Sequence, residues 1–177
     1  MDATASFAAA LQPHIDRVAR KLGRTPHIAI RAPRLGLSFD AGDADQPFHS
    51  ASVGKIVTAA LVMQCVEAGL ATTQTPVADV LPADEIAGLF LPGTPATVEH
   101  LLTHTSGVAD YFEGKVTSGV PVIRDALANP TRHWTPAQLL AVTRQRQRPV
   151  GTPGQRVSYS DTGFVLLGRV LEELTGH

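Results

Sequence analysis

Apolar residues recur at helical spacing through much of this chain and alternate at strand spacing in one short region. Over residues 6–23, Phe7, Ala10, Leu11, Ile15, Val18, Ala19 and Leu22 share one helical face, and Arg17, Arg20 and Lys21 fall late, where the helix dipole favours cations. That spacing predicts an amphipathic packing helix. His27-Ile28-Ala29-Ile30-Arg31 and Leu35-Gly36-Leu37-Ser38-Phe39 alternate well enough for two strands, joined near Pro33-Arg34 as a hairpin and followed by a turn at Asp40-Ala41-Gly42-Asp43. Ile56, Val57, Ala59, Ala60, Leu61, Val62, Cys65 and Val66 leave almost no polar face, which predicts a helix buried on most sides and stopping near Gly69.

Prolines set the punctuation beyond that helix. Pro76, Pro82, Pro92 and Pro95 make residues 72–95 a loop with short helical pieces. Thr97 is placed to cap a short helix at Val98-Glu99-His100-Leu101-Leu102, and residues 108–132 read as a flexible segment. Thr135-Pro136 supplies an N-cap with proline at the first helical position, for a helix reaching about Gln147, and Pro149-Val150-Gly151-Thr152-Pro153-Gly154 breaks it. A last helix, from Asp161 or Thr162 to Thr175, buries Phe164, Leu167, Val170, Leu171 and Leu174, with Gly176 as its stop.

Composition narrows the classes. A chain of 177 residues with 44% hydrophobic content is long enough for one domain with a core and short for two, so residues 1–177 are expected to form a single domain. The formal charge is −1, and the one basic cluster, Arg144-Gln145-Arg146-Gln147-Arg148, lacks the aromatic interleaving of a nucleic-acid footprint; no nucleic-acid partner is expected. Cys65 is the single cysteine, which excludes an internal disulfide, and its place on the apolar helix makes it a poor nucleophile. No apolar run reaches membrane-spanning length, and no basic region precedes an apolar core at the N-terminus, so the expectation is a cytoplasmic protein without membrane contact, a removed leader being the other option.

Ser52-Val53-Gly54-Lys55 opens the apolar helix, and a serine and lysine three residues apart there lie about one turn from each other on one face. The arrangement suits acyl transfer: the hydroxyl needs a neighbour to take its proton, and a lysine at the mouth of a buried helix is partly desolvated. The other reading makes Ser52 an N-cap and Lys55 a first-turn surface residue, and the spacing alone is a weak signal. Tyr159-Ser160-Asp161 lies between a Gly/Pro loop and the last helix, where a phenol beside an ammonium can act as general base; equally, Tyr159 is a core residue and Asp161 the N-cap of that helix. His100 and His104 are four apart and within metal-binding reach, but no glutamate follows His100 and no third ligand is evident, so no metal or cofactor is expected. A phosphate-loop reading of Gly54-Lys55 fails because Ile56 replaces the required hydroxyl residue and His49 stands where the first glycine belongs.

Taken together, Ser52-x-x-Lys55, Leu101-Leu102-Thr103-His104-Thr105-Ser106-Gly107, Pro153-Gly154 and Tyr159-Ser160-Asp161-Thr162-Gly163-Phe164 with Leu166-Leu167-Gly168 resemble the penicillin-recognising serine hydrolases. The likeness is closest to the class C β-lactamase branch, with its D-alanyl-D-alanine carboxypeptidases, D-aminopeptidases and lactamase-like esterases. It implies an α+β, β-lactamase/transpeptidase-like fold, here a mainly helical part plus an N-terminal β-hairpin of an incomplete antiparallel sheet. It also implies that Ser52 is the acylated nucleophile, that Lys55 and Tyr159 share the base role, and that the stretch around His104 is structural.

Two departures accompany the resemblance. Asp161 stands where the family usually has asparagine, and a carboxylate near Lys55 stabilises the ammonium and makes it a poorer base. The family also carries a third motif, a lysine or histidine followed by a small residue and glycine, on a strand well downstream that supplies an oxyanion-hole N–H. The chain ends at His177 without it, so the domain is expected to be truncated before its C-terminal strands, with the missing segment or a second chain expected at the hairpin edge. The expected function is hydrolysis of an amide or ester, in a β-lactam, a D-amino-acid peptide or a small ester, through an acyl-Ser52 intermediate. The alternative is a non-catalytic binding or assembly module that keeps the scaffold without a complete site.

Overall fold

The structure is a computed structural model that describes residues 3–177, arranged as two compact units that divide between Ser50 and Ala51.

The first unit is a helix and a hairpin. Helix α1 (Ala3–Leu22) begins three residues earlier than its spacing predicts. Strands β1 (Ile28–Ala32) and β2 (Leu37–Ala41) pair antiparallel with Ile28 opposite Ala41, Ile30 opposite Phe39 and Ala32 opposite Leu37. A single 3-10 turn over Pro33–Leu35 joins them, closed by Gly36 in the left-handed region at φ 60°. Asp40 and Ala41, predicted as turn residues, belong to β2: the Asp40 carboxylate takes both Arg31 guanidinium nitrogens at 2.8 and 2.9 Å across the strands, which extends the ladder to the last pair. Phe39 and Ile15 are the buried residues here, with Phe7 edge-on to Phe39 at 5.7 Å.

The second unit is helical: α2 (Lys55–Glu67), α3 (Ala83–Ile86), α4 (Val98–Leu102), α5 (Val122–Ala128), α6 (Pro136–Arg146) and α7 (Asp161–Thr175). Helix α7 is its axis, because its apolar face falls at i, i+3, i+4 and i+7, and it packs against α2, α4 and α6. Leu166, Leu167 and Val170 are fully buried on that face, among Val62, Val98, Leu101 and Leu140. Helices α4 and α6 start as predicted at Thr97 and Thr135, each in a reciprocal capping arrangement with the residue three along, His100 and Gln138. Gly176, at φ 73°, ends α7.

Two expectations are corrected in this unit. Helix α2 is not buried on most sides: Val62 and Cys65 are buried, while Ile56 and Val57 are 69% and 63% exposed. Its packing is one-sided, against α7 and the turn before it, and one flank cannot cover an apolar surface that runs round the helix. Residues 108–132 are built into the unit rather than looping free, with Val108, Ala109 and Val122 buried and α5 formed in their midst. Asp110 accepts the N–H groups of Phe112 and Glu113, a local side-chain turn that replaces the missing periodic signal. Among the described residues no helix is long and apolar enough to cross a membrane.

Candidate active site

Three backbone segments converge beside the start of α7. The 3-10 turn Ala51–Gly54 carries Ser52, α2 begins with Lys55, and the stretch ahead of α7 carries Tyr159. Ser52 is not a cap, since Gly54 is the N-cap residue of α2 and no side chain caps it. Asp161 is not the cap of α7 either: Ser160 is, its Oγ accepting the Gly163 N–H at 3.3 Å and donating to the Ala109 carbonyl at 3.1 Å. The side chains of Ser52 and Asp161 are therefore free for each other's neighbours, and they share one. Lys55 Nζ donates to Ser52 Oγ at 3.3 Å and forms a short ion pair with the Asp161 carboxylate. Tyr159 completes the group, its phenolic oxygen 2.7 Å from Ser52 Oγ.

The lysine and aspartate side chains are only 19% and 18% exposed, so the pair is held away from bulk water next to a serine and a tyrosine that face solvent. Aromatic faces supply part of that shielding: Nζ stands 5.1 Å from the Tyr159 ring centre and 5.5 Å from that of Phe164. Burial pulls the Lys55 pKa down, but the hydrogen bonds to Asp161 and Tyr159 and their negative charge outweigh it, and the pKa rises above the ordinary lysine value. Lys55 is thus an ammonium at neutral pH.

The motif around His104 is joined to the Tyr159 motif by a run of backbone bonds. Val150 N–H reaches Gly107 O at 2.8 Å, Gly154 N–H reaches Thr105 O at 2.8 Å, and Ser158 N–H reaches His104 O at 2.7 Å. Gly107 is obligatory there, at φ 73° and with its α-carbon face pressed against the Gly151 carbonyl. His104 itself stacks on Tyr159 with ring centres 4.3 Å apart, a contact that the four-residue spacing to His100 does not suggest. His100 belongs to the α4 cap, its Nδ1 accepting the Thr97 N–H at 3.2 Å. Cys65 is buried within α2.

The predicted residues Ser52, Lys55, Tyr159 and Asp161 therefore form one connected cluster, and Phe164 and His104 are neighbours that residue spacing did not single out. The geometry offers a hydroxyl with a cation and a phenol both in hydrogen-bond reach, the arrangement that nucleophilic acyl transfer needs.

Comparison with known proteins shows the family of the chain. The Beta-lactamase family model matches residues 38–177. Penicillin-binding protein 4 of Amycolatopsis lactamdurans is 36% identical over 135 residues, covering 75% of this chain and 31% of that protein. The acyltransferase calJ of Penicillium decumbens is 38% identical over 116 residues, 50% of this chain and 28% of that protein. A D-stereospecific amidohydrolase from Streptomyces sp. superposes with a TM-score of 0.68 at 33% identity, over 79% of this chain and 41% of that one. The chain thus spans less than half the length of each of these relatives. It belongs to the beta-lactamase family of penicillin-recognising serine hydrolases and has the β-lactamase/transpeptidase-type α+β fold.

Proposed function

We propose that Ser52 is the nucleophile of an acyl-transfer reaction on an amide or ester carbonyl, in a β-lactam, a D-amino-acid peptide or a small ester. The observation that carries this reading is the triangle in which Ser52 Oγ lies 2.7 Å from Tyr159 and 3.3 Å from Lys55 Nζ. Asp161 holds Lys55 protonated, so the base role falls to Tyr159 and Lys55 acts as a fixed positive charge. In the acylation step Ser52 Oγ bonds to the carbonyl carbon while its proton passes to the Tyr159 oxygen. The tetrahedral intermediate then collapses with that proton delivered to the leaving amine or alkoxide, leaving acyl-Ser52. Deacylation reverses the proton path, with Tyr159 taking a proton from the incoming nucleophile. Water gives hydrolysis, and an alcohol or amine gives acyl transfer, as in the relative named an acyltransferase.

The reading includes one further part. A strand from polypeptide outside these residues, in the same or a second chain, pairs with the hairpin edge and brings the lysine- or histidine-containing motif and the second oxyanion donor. Its support is that the matched region covers only 31% of the penicillin-binding protein and 41% of the amidohydrolase.

The test is turnover of a nitrophenyl ester and of D-alanyl amides by the full-length protein, with product analysis in the presence of an added alcohol. Turnover lost in both Ser52→Ala and Tyr159→Phe is the expected result. Turnover that survives Ser52→Ala contradicts the proposal, and absence of any turnover and any acyl adduct favours a non-catalytic module.

A further inference from the structure

His104 grips Tyr159 from three directions. Its carbonyl oxygen accepts the N–H of Ser158 at 2.7 Å, its Nδ1 accepts the N–H of Ser160 at 3.2 Å, and its ring lies over the phenol ring at an interplanar angle of 29°. The two residues that flank Tyr159 and the side chain between them are thus referred to a single residue. The backbone of His104 is itself bent to reach this position: among the described residues it is one of two non-glycine residues with positive φ, at 58°, a conformation that persists only where surrounding contacts hold it.

We propose that His104, as a neutral imidazole with its proton on Nε2, is a positioning residue that fixes the Tyr159 hydroxyl at bonding distance from Ser52. The inference rests on the role given to Tyr159 above. The tautomer follows from the donor: a peptide N–H points at Nδ1, so Nδ1 must present its lone pair. A protonated His104 would set two N–H groups against each other at that contact, and the clamp would open. It would also add a second cation to a site that already holds one.

The groups facing the ring set the pH at which that happens. Lys55 at the start of α2 repels a second positive charge, Asp161 at the start of α7 and Asp110 in the preceding loop attract one, and Tyr159 and Phe164 present their ring faces. Burial and Lys55 outweigh the two carboxylates, so the His104 pKa lies below the ordinary histidine value of 6.5. The clamp is closed at neutral pH and opens only in acid.

The experiment measures the rate of Ser52 modification by a fluorophosphonate against pH, for the full-length protein and for His104→Asn and His104→Gly. Both substitutes tolerate the left-handed backbone; Asn keeps an acceptor near the Nδ1 position and loses the titrating ring, and Gly loses both. The expected result is a fall of about a hundredfold at neutral pH for Gly, the scale on which misplacing a reacting group acts, with partial recovery for Asn. The acid limb belonging to His104 should vanish in Asn. In parallel, nitrogen-15 spectra of the wild-type imidazole should show an unprotonated Nδ1 and a titration midpoint below 6.5, and the Tyr159 ring protons should lose the shift caused by the stacked ring in Gly. Wild-type rates in His104→Gly, or an Nδ1–H tautomer, overturn the proposal. If the wild-type protein is not modified at Ser52 at all, the acyl-transfer reading fails, and the tautomer and ring-shift measurements still decide whether the clamp exists.

Discussion

Lys55 and Asp161 form an ion pair that is four-fifths buried, with Ser52 Oγ on its open side. Removing one charge from such a pair leaves the other uncompensated. Asp161→Asn takes away the Asp161 contacts that raise the Lys55 pKa and leaves Tyr159 alone to oppose burial, which lowers it. The Lys55 titration should therefore move to lower pH, visible as a downward shift of the high-pH limb in the Ser52 modification rate. The sign for stability follows: with a raised folded-state pKa, the contribution of Lys55 is fully present below 10.5 and lost as pH rises through the folded-state value. An unmoved or upward-shifted limb in Asp161→Asn would show that the two groups are not coupled in this way.

Ser160 links the cap of α7 to the buried loop at Ala109 through a single hydroxyl. Ser160→Ala should cost about 2–3 kcal/mol, from roughly 1 for the cap and the remainder for a buried carbonyl left without its donor. Urea unfolding reads this as a lower midpoint at unchanged slope. A loss under about 0.5 kcal/mol would mean that water replaces the hydroxyl at both contacts.

At Gly107 the backbone is left-handed and a β-carbon would overlap the carbonyl group of Gly151. Gly107→Ala should destabilise by about 3 kcal/mol or more, because the obstacle is backbone rather than a side chain that can turn away. Since the bond from Val150 N–H to Gly107 O lies at the same point, the Tyr159 segment should loosen with it, and faster amide exchange at Ser158 and Ser160 is the accompanying signal.

Among the described residues the hairpin is a two-stranded sheet, and Leu35 at its tip is 70% exposed. A two-stranded sheet is marginal in water and its edges are templates for another strand. Residues 1–177 produced alone should therefore associate in a concentration-dependent way in size-exclusion with light scattering. A monomer at all concentrations tested would argue against a strand partner at this edge.

The helices were legible where sequence carries both a cap and a period. Thr97, Thr135 and Gly176 mark their boundaries in a few residues, and Leu167 and Val170 announce the buried face of α7, which Leu166 also joins. The extent of burial of α2 was not legible, because an all-round apolar helix shows that cover is needed and not where it comes from. Sequence alone does not decide the cap of α7, for a related reason. Ser160 and Asp161 are both good capping residues, and only the tertiary contact with Ala109 decides that the serine caps while the aspartate turns to Lys55. The cluster of Ser52, Lys55, Tyr159 and Asp161 could be named from its motifs, but its distances depend on backbone bonds between residues 104–107 and 150–158, which are non-local and leave no spacing pattern. His104 was missed as a neighbour of Tyr159 for that reason, since 55 positions separate them.

The central claim is that Ser52 is the one activated serine, and the most direct measurement of it is the intact mass of the full-length protein after exposure to a fluorophosphonate or a penicillin, followed by peptide mapping. The account predicts a single adduct on Ser52, absent in Ser52→Ala and slowed in Tyr159→Phe. An adduct on Ser106 or Ser160, or unchanged labelling in Ser52→Ala, would contradict it.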